Sequence, residues 1–380
     1  MIDPATQQDE LFMARALLLA RNGLYTTKPN PRVGCVLVKN NTIIAEGWHE
    51  RAGQGHAEVE ALKRVENAHG ATAYVTLEPC FHYGRTPPCA EALIRAGVVR
   101  VVVAMQDPNP LVAGKGLALL KQAGIKVRKG VLEAEAKQLN KGFIKRMRKA
   151  QPYVTSKLAM SVDGRTAMAS GESKWITSPE ARRDVQKLRA ASGAILTGVE
   201  TVLADDPGMN VRMENVDVEQ PIRVILDSRL RTPSTAKLLG LDGRTIILTC
   251  SVEQYKIDTL KQAGAEVYFI AADNLGRVDL EQVLSFLAEQ QINDVLVEAG
   301  SVLNGAMVQQ GLIDECIVYM APSIIGASGR GLFAMPDVSA MADKIQLQFV
   351  DMRKIGRDIR LHFNVQRQSV QKQQASDQVQ

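Results

Sequence analysis

Gly55-His56-Ala57-Glu58-Val59-Glu60, then Thr76-Leu77-Glu78-Pro79-Cys80, then Phe81-His82-Tyr83-Gly84-Arg85-Thr86-Pro87-Pro88-Cys89, follow one another closely in this chain. Zinc is held by histidine nitrogen and cysteine thiolate in a tetrahedral shell, and a catalytic site leaves the fourth position for water. His56, Cys80 and Cys89 supply three such ligands, so Zn2+ is the expected metal, one per chain. Glu58 is then the carboxylate placed to move protons to and from that water, the catalytic residue of the set.

His56 and Glu58 are two residues apart, a rotation of roughly 200° on a helix. They converge if both sit in the first turn, with the metal off the helix end. Residues 52–55 read as loop and 57–67 as helix, which puts the pair there. Cys89 follows Pro87-Pro88 and opens a helical run that closes at Gly97. A helix N-terminus lowers a thiol's pKa, so Cys89 is expected to bind as thiolate. Cys80 follows the apolar run 73–77, a strand that feeds the site.

His-x-Glu followed by Pro-Cys and a further Cys is the pattern of zinc-dependent base deaminases, in which two residues separate the cysteines. Here a longer loop intervenes. That loop, with Gly84-Arg85-Thr86-Pro87-Pro88, resembles the deaminase half of the bifunctional riboflavin-biosynthesis deaminase/reductases. So does Pro29-Asn30-Pro31-Arg32-Val33-Gly34 ahead of the apolar strand 35–38.

A chain of 380 residues has room for two domains, each with a full core. Apolar content of 46%, charged content of 23% and a net charge of +5 are ordinary for a globular protein. Five cysteines, two of them assigned to zinc, leave an odd number, and no disulfide framework is indicated. The first ten residues lack the charged and apolar regions of a signal peptide. No run reaches membrane-spanning length. A cytoplasmic enzyme with no membrane partner is expected.

Strand and helix patterns alternate up to about residue 148, which argues for a central sheet covered by helices. Residues 133–149 read as one basic helix ending before Gln151-Pro152. Its Lys141, Lys145, Arg146, Arg148 and Lys149 carry no aromatic ladder for base stacking and read as a solvated face or an interdomain strut. The division expected is 1–148, 149–367 and a Gln- and Ser-rich, disordered tail 368–380.

The second half has a single histidine, His362, and no zinc ligands to spare. Strands are expected at 194–197, 222–227, 245–249, 267–271 and 294–298, the last followed by Ala299-Gly300-Ser301 and a helix over 303–310. A strand, a glycine turn and a helix N-terminus form a ready anion site, although such a turn often holds glycine for steric reasons alone. No G-x-G-x-x-G fingerprint is present. Ser228-Arg229 offers a hydroxyl and a guanidinium for a cofactor 2′-phosphate, or else Arg229 is a solvated turn residue.

Ser-Lys-Leu-Ala-Met-Ser-Val-Asp-Gly-Arg-Thr-Ala (156–167), Gly-Glu-Ser-Lys-Trp-Ile-Thr (171–177), Leu-Ala-Asp-Asp-Pro (203–207), Leu-Asp-Ser-Arg (226–229) and Glu-Ala-Gly (298–300) resemble the reductase half of the same family. The likeness runs over roughly residues 8–366, with motifs in family order. It implies an α/β fold: a cytidine-deaminase-like α/β/α sandwich, then a dihydrofolate-reductase-like α/β domain using NADPH. It implies that Ala159, Trp175, Thr201, Asp205, Ser228 and the loop of Gly300, Ser301, Val302, Leu303, Asn304, Gly305 and Ala306 contact NADPH. It further implies that Asn30, Ser173, Arg189, Arg212 and Glu298 contact substrate.

The chemistry implied is deamination of 2,5-diamino-6-(5-phosphoribosylamino)pyrimidin-4(3H)-one to 5-amino-6-(5-phosphoribosylamino)uracil, with Glu58 shuttling protons. NADPH then reduces the ribosyl group to ribityl phosphate. Arg189 and Arg212 suit a phosphate, since a guanidinium fork pairs with it bidentately. As isolated arginines, each is more often a surface ion-pair partner. Either Asp205 or Glu298 assists reduction. A small-molecule substrate, no nucleic acid and a homo-oligomer complete the expectation.

Two other classes compete. A nucleic-acid-editing deaminase with an RNA-binding second domain is disfavoured by 4% aromatic content and modest charge. A non-catalytic ligand sensor is disfavoured in the first half by the intact His56, Glu58, Cys80 and Cys89.

Overall fold

The computed structural model describes residues 4–81, 87–110 and 112–366. Gly84, Arg85 and Thr86, part of the resemblance, and the tail 368–380 lie outside the described residues. The chain forms two compact units. The first comprises Met1–Pro152 with Asn215–Glu219 and Leu287–Asn293, and the second comprises the remainder.

The first unit runs α1 (Pro4–Ala20), β1 (Gly34–Lys39), β2 (Thr42–Trp48), α2 (Ala57–Leu62), β3 (Thr72–Leu77) and α3 (Cys89–Arg95). It continues with β4 (Arg100–Met105), α4 (Lys115–Gln122), β5 (Lys126–Lys129), α5 (Glu133–Leu139) and α6 (Lys141–Lys149). Its sheet has the order β2-β1-β3-β4-β5, antiparallel around β1 and parallel from β3 onward. The apolar strands are buried on both faces, and neighbouring side chains point to opposite sides. Cys35, Leu37, Val75, Val101 and Val103 pack with Ala57, Ala61, Leu93 and Leu120 of α2, α3 and α4. Val36, Val38, Tyr74, Val102 and Ala104 pack instead with Phe12, Met13 and Leu17 of α1 and with Ala136 of α5. The result is a three-layer α/β/α sandwich.

Two local readings are corrected. The helix expected over 57–67 closes after Leu62, and Arg64 and Ala71 donate in short turns to Ala61 and Ala68. The single helix expected over 133–149 is broken at Asn140, whose carboxamide accepts from the Arg32 N–H at 2.8 Å and donates to the Arg32 carbonyl at 2.9 Å. A helix break thereby fastens the Asn30–Arg32 loop.

Helix α2 lies against Gly47 of β2, where a Cβ would stand 2.4 Å from the Ala61 nitrogen and 2.5 Å from the Ala57 oxygen. Both are backbone atoms of the helix that carries Glu58. Gly47→Ala is therefore expected to lower unfolding stability by about 1–3 kcal/mol or more, as overpacking does. Denaturant midpoints would check it, and an unchanged midpoint would contradict it.

The second unit runs β6 (Tyr153–Ser161), β7 (Arg165–Ala167), α7 (Pro179–Ala191), β8 (Ala194–Gly198), α8 (Val199–Asp205), β9 (Ile222–Leu226), β10 (Thr245–Thr249), α9 (Gln254–Gln262) and β11 (Glu266–Phe269). Then come α10 (Leu280–Glu289), β12 (Asp294–Val297), α11 (Ser301–Gln309), β13 (Glu315–Ala321), β14 (Arg330–Gly331), β15 (Leu347–Ile355) and β16 (Asp358–Val365). A nine-stranded sheet has the order β11-β10-β9-β8-β12-β6-β13-β16-β15. It is parallel through β13 and ends in an antiparallel hairpin. The β7–β14 pair forms a small sheet of its own. Among the described residues no helix is long and apolar enough to cross a membrane.

Candidate functional sites

At the first site His56 is the N-cap of α2, with extended backbone, and Glu58 lies in the first turn. Cys89 opens α3, and Cys80 lies three residues after the end of β3. The His56 Nδ1 lies 3.5 Å from Cys80 Sγ and 3.3 Å from Cys89 Sγ. All three ligand atoms are within 4.8 Å of one another. Zinc bonds of about 2.3 Å to sulfur and 2.0 Å to nitrogen, opened to a tetrahedral angle, require ligand atoms about 3.5 Å apart. The three side chains therefore fit zinc, with a fourth position left over.

The Cys89 thiol and its helix N–H (3.3 Å) both point at Cys80 Sγ, and His56 faces it too. Hydrogen bonding from Cys89, then from His56, brings the Cys80 thiol down to about 4. Donation to Cys80 and burial push the Cys89 thiol up. The first N–H of α3 thus reaches the neighbouring sulfur. Metal binding would deprotonate both.

Glu58 is buried beneath this group, and burial pushes its carboxyl up to about 7 against the opposing pull of His56. His49, which sequence reasoning missed, packs edge-on to the His56 ring with centroids 5.4 Å apart. Its Nδ1 lies 3.0 Å from the Gly55 carbonyl, so that nitrogen carries the proton. The Nε2 then accepts from Asn30 Nδ2 at 3.1 Å. Burial lowers the pKa of His49, keeping it neutral. Asn30 thereby stands beside the metal ligands.

Glu78 is a second missed residue. Its buried carboxylate accepts the N–H groups of Asp107, Gly114, Gly116 and Leu117 at 2.9–3.3 Å. Its position two residues before Cys80 was the available signal.

The second site is a cavity of about 1060 Å³ in the second unit. Ala159, Ser173, Trp175, Thr201, Asp205, Arg189, Arg212, Glu298, Gly300 and Ser301 all reach its wall. Ser228, Val302, Leu303, Asn304, Gly305 and Ala306 are not on it. The Ser228 hydroxyl instead accepts the Val278 N–H at 3.1 Å, and Arg229 is a solvated residue off the cavity. The exposed Trp175 ring faces the Arg182 guanidinium at 4.4 Å. Asp205 pairs with Lys174 at 3.0 Å.

Lys157, missed in the sequence, sits on the cavity face of β6, 3.3 Å from Glu298. Arg189 binds the same carboxylate bidentately at 2.6 and 3.0 Å and donates to the Asn210 carbonyl at 3.0 Å. Its fork is occupied by protein groups, whereas the Arg212 side chain is exposed at the wall. Burial would raise the Glu298 pKa, but Lys157 and Arg189 override it and hold the group down at about 2.

Residues 6–105 match the family model described as the cytidine and deoxycytidylate deaminase zinc-binding region, and residues 152–361 match the RibD C-terminal domain. The chain is 51% identical over 368 residues to riboflavin biosynthesis protein RibD of Escherichia coli (strain K12), covering 94% of this chain and 99% of that one. The Haemophilus influenzae protein of the same name is 51% identical over 370 residues, covering 94% and 98%. Among solved structures, Acinetobacter baumannii RibD superposes with a TM-score of 0.88 at 50% identity, covering 95% of this chain and 100% of that one. A Thermotoga maritima diaminohydroxyphosphoribosylaminopyrimidine deaminase/5-amino-6-(5-phosphoribosylamino)uracil reductase superposes with a TM-score of 0.84 at 33% identity, covering 95% and 100%.

Proposed function

The chain belongs to the RibD family of riboflavin biosynthesis proteins, and from that premise we propose that it catalyses two reactions in turn. The first half, residues 1–148, is a zinc-dependent deaminase that converts 2,5-diamino-6-(5-phosphoribosylamino)pyrimidin-4(3H)-one to 5-amino-6-(5-phosphoribosylamino)uracil. The second, residues 149–367, is an NADPH-dependent reductase that opens the ribosyl group to ribityl phosphate. The observation that carries the reading is the His56–Cys80–Cys89 group with buried Glu58 in one unit and the cavity built on Glu298 in the other.

Zinc held by His56, Cys80 and Cys89 supplies Lewis acidity that makes water a nucleophile near neutral pH. Glu58 takes one proton from the water and gives it to the ring nitrogen, then carries the second, from the hydroxyl of the adduct, to the departing ammonia. Burial favours its protonated form and so supports the return of the proton. Asn30 and His49, locked together beside His56, orient the pyrimidine.

In the second half NADPH supplies the hydride. Positive charge develops at the sugar C1 as its ring oxygen leaves. The permanently ionised Glu298, fixed by Arg189 and Lys157, stabilises that charge without reorganisation. Both candidate carboxylates are ion-paired, Glu298 with Arg189 and Lys157 and Asp205 with Lys174, and Glu298 is the more buried, at 11% against 36% side-chain exposure. Arg212 meets the substrate phosphate. Five unpaired cysteines, two of them metal ligands, accord with a reducing, cytoplasmic setting.

The test supplies the full-length chain with each pyrimidine in turn. The diaminopyrimidinone should release ammonia, and the deaminated uracil compound should drive NADPH oxidation. Failure of the latter would remove the reductase assignment, and failure of the former the deaminase one.

A further inference from the structure

We infer that Glu78 is a positioning residue for the metal centre: its carboxylate holds the start of α4 against the chain on both sides of Cys80. This rests on the zinc-deaminase reading above. Glu78 is buried and follows directly on β3. An ionised carboxylate has about four lone-pair sites, and here four backbone N–H groups fill them. Gly116 and Leu117 of α4 donate to Oε1 at 3.0 and 3.3 Å. Asp107 and Gly114, in the loop before that helix, donate to Oε2 at 3.1 and 2.9 Å.

Held in this way, the start of α4 meets the residues that flank Cys80. A Cβ built on Gly116 would stand 2.0 Å from the Pro79 carbonyl oxygen, so helix and chain touch there backbone to backbone. Lys115, the first residue of the helix, places its ammonium 5.2 Å from the centre of the Phe81 ring. The Glu78 N–H still bonds the Met105 carbonyl at 3.0 Å, but Pro79 has no N–H with which to continue that ladder. Beyond Glu78 the path of the chain follows its contact with α4. From the opposite side α3 receives Cys80: the Ala90 N–H donates to its carbonyl at 3.1 Å and the Cys89 N–H to its Sγ at 3.3 Å. Cys80 is thus set between two helix starts, and Glu78 fastens one of them. It acts on the metal through α4 and Pro79 and is not itself a ligand, because its oxygens are taken up by the four N–H groups.

Glu78→Gln in the full-length holoenzyme keeps the shape of the side chain but leaves one acceptor oxygen and turns an NH2 toward two N–H groups that need an acceptor. Zinc is then competed away with a chromophoric chelator, at a temperature where the metal-free variant is folded by circular dichroism. Zinc affinity should fall by about 10–100-fold, the range found when a group that orients metal ligands is removed. Deamination should return close to the unsubstituted rate once zinc is in excess, and NADPH oxidation should be unchanged. Glu78→Asp, which keeps the charge but draws it back by one methylene, should lose affinity several-fold and decides the matter if Glu78→Gln does not fold. Unchanged zinc affinity in the folded variant, with only the thermal midpoint lowered, would overturn the inference and leave Glu78 as a core carboxylate that serves the fold alone. Deamination that stays lost with zinc bound would overturn it too, by placing Glu78 in substrate binding or chemistry. An unsubstituted chain that holds no zinc would remove the metal reading and this inference with it.

Discussion

Glu58→Gln is expected to cut deamination by roughly 10²–10⁴-fold, the usual scale for a general acid–base residue. Glutamine keeps the shape of the buried side chain but cannot take the proton of the attacking water. Glu58 is not among the three metal-ligand side chains, so zinc should remain at about one per chain. NADPH oxidation with the uracil compound should continue at the unsubstituted rate, because Glu58 belongs to one compact unit and the cavity to the other. Cys89→Ser is the complementary variant. It removes a ligand rather than a proton carrier, so metal analysis should show zinc lost together with deamination. Retention of full deaminase activity by either variant would contradict the assignment. Loss of both activities in a folded Glu58→Gln chain would contradict the independence of the halves.

The first site was legible in the sequence because its chemistry depends on local geometry. Histidine and glutamate two residues apart can serve one metal only at a helix start, and the structure places His56 at the N-cap of α2. The alternation of strand and helix patterns likewise argued for a sheet covered by helices, and both of its faces are packed. What escaped depends on partners far apart in the chain. Asn140 ends a helix because Arg32 offers it two backbone groups, and no propensity reveals that. His49 reads as a loop residue until Asn30 and Gly55 are folded around it. Lys157 occupies an alternating strand position, and its meaning comes only from β12 running parallel beside β6, which brings Glu298 to it. The contact between α3 and Cys80 escaped for a related reason. A helix N-terminus offers its N–H to whatever stands before it, here the neighbouring sulfur.

Glu298→Gln should produce the largest loss in the second unit. Arg189 and Glu298 are 12% and 11% exposed at the side chain, and Lys157 shares the carboxylate. Removing the anion leaves a guanidinium and an ammonium largely buried without their counter-charge. Breaking a buried pair from one side typically costs about 3–5 kcal/mol. Reduction should fall by about 10²-fold or more in kcat/KM, the scale seen when a single preorganised stabilising group is removed. Deamination should be unaffected. The pH dependence separates this electrostatic cause from a packing defect. Glu298 titrates at about 2 in the folded chain, against about 4.3 for an unconstrained glutamate. A depressed folded value means that the carboxylate's stabilisation is complete above about 4.3 and is lost as pH falls toward 2. The gap in denaturant midpoint between the original chain and Glu298→Gln should therefore be wide and constant from pH 6 to 8, and should narrow below pH 4. Equal midpoints at neutral pH would exclude a stabilising role for the carboxylate. A gap that persists undiminished in acid would assign the loss to shape, because a protonated glutamic acid and a glutamine then differ little in charge.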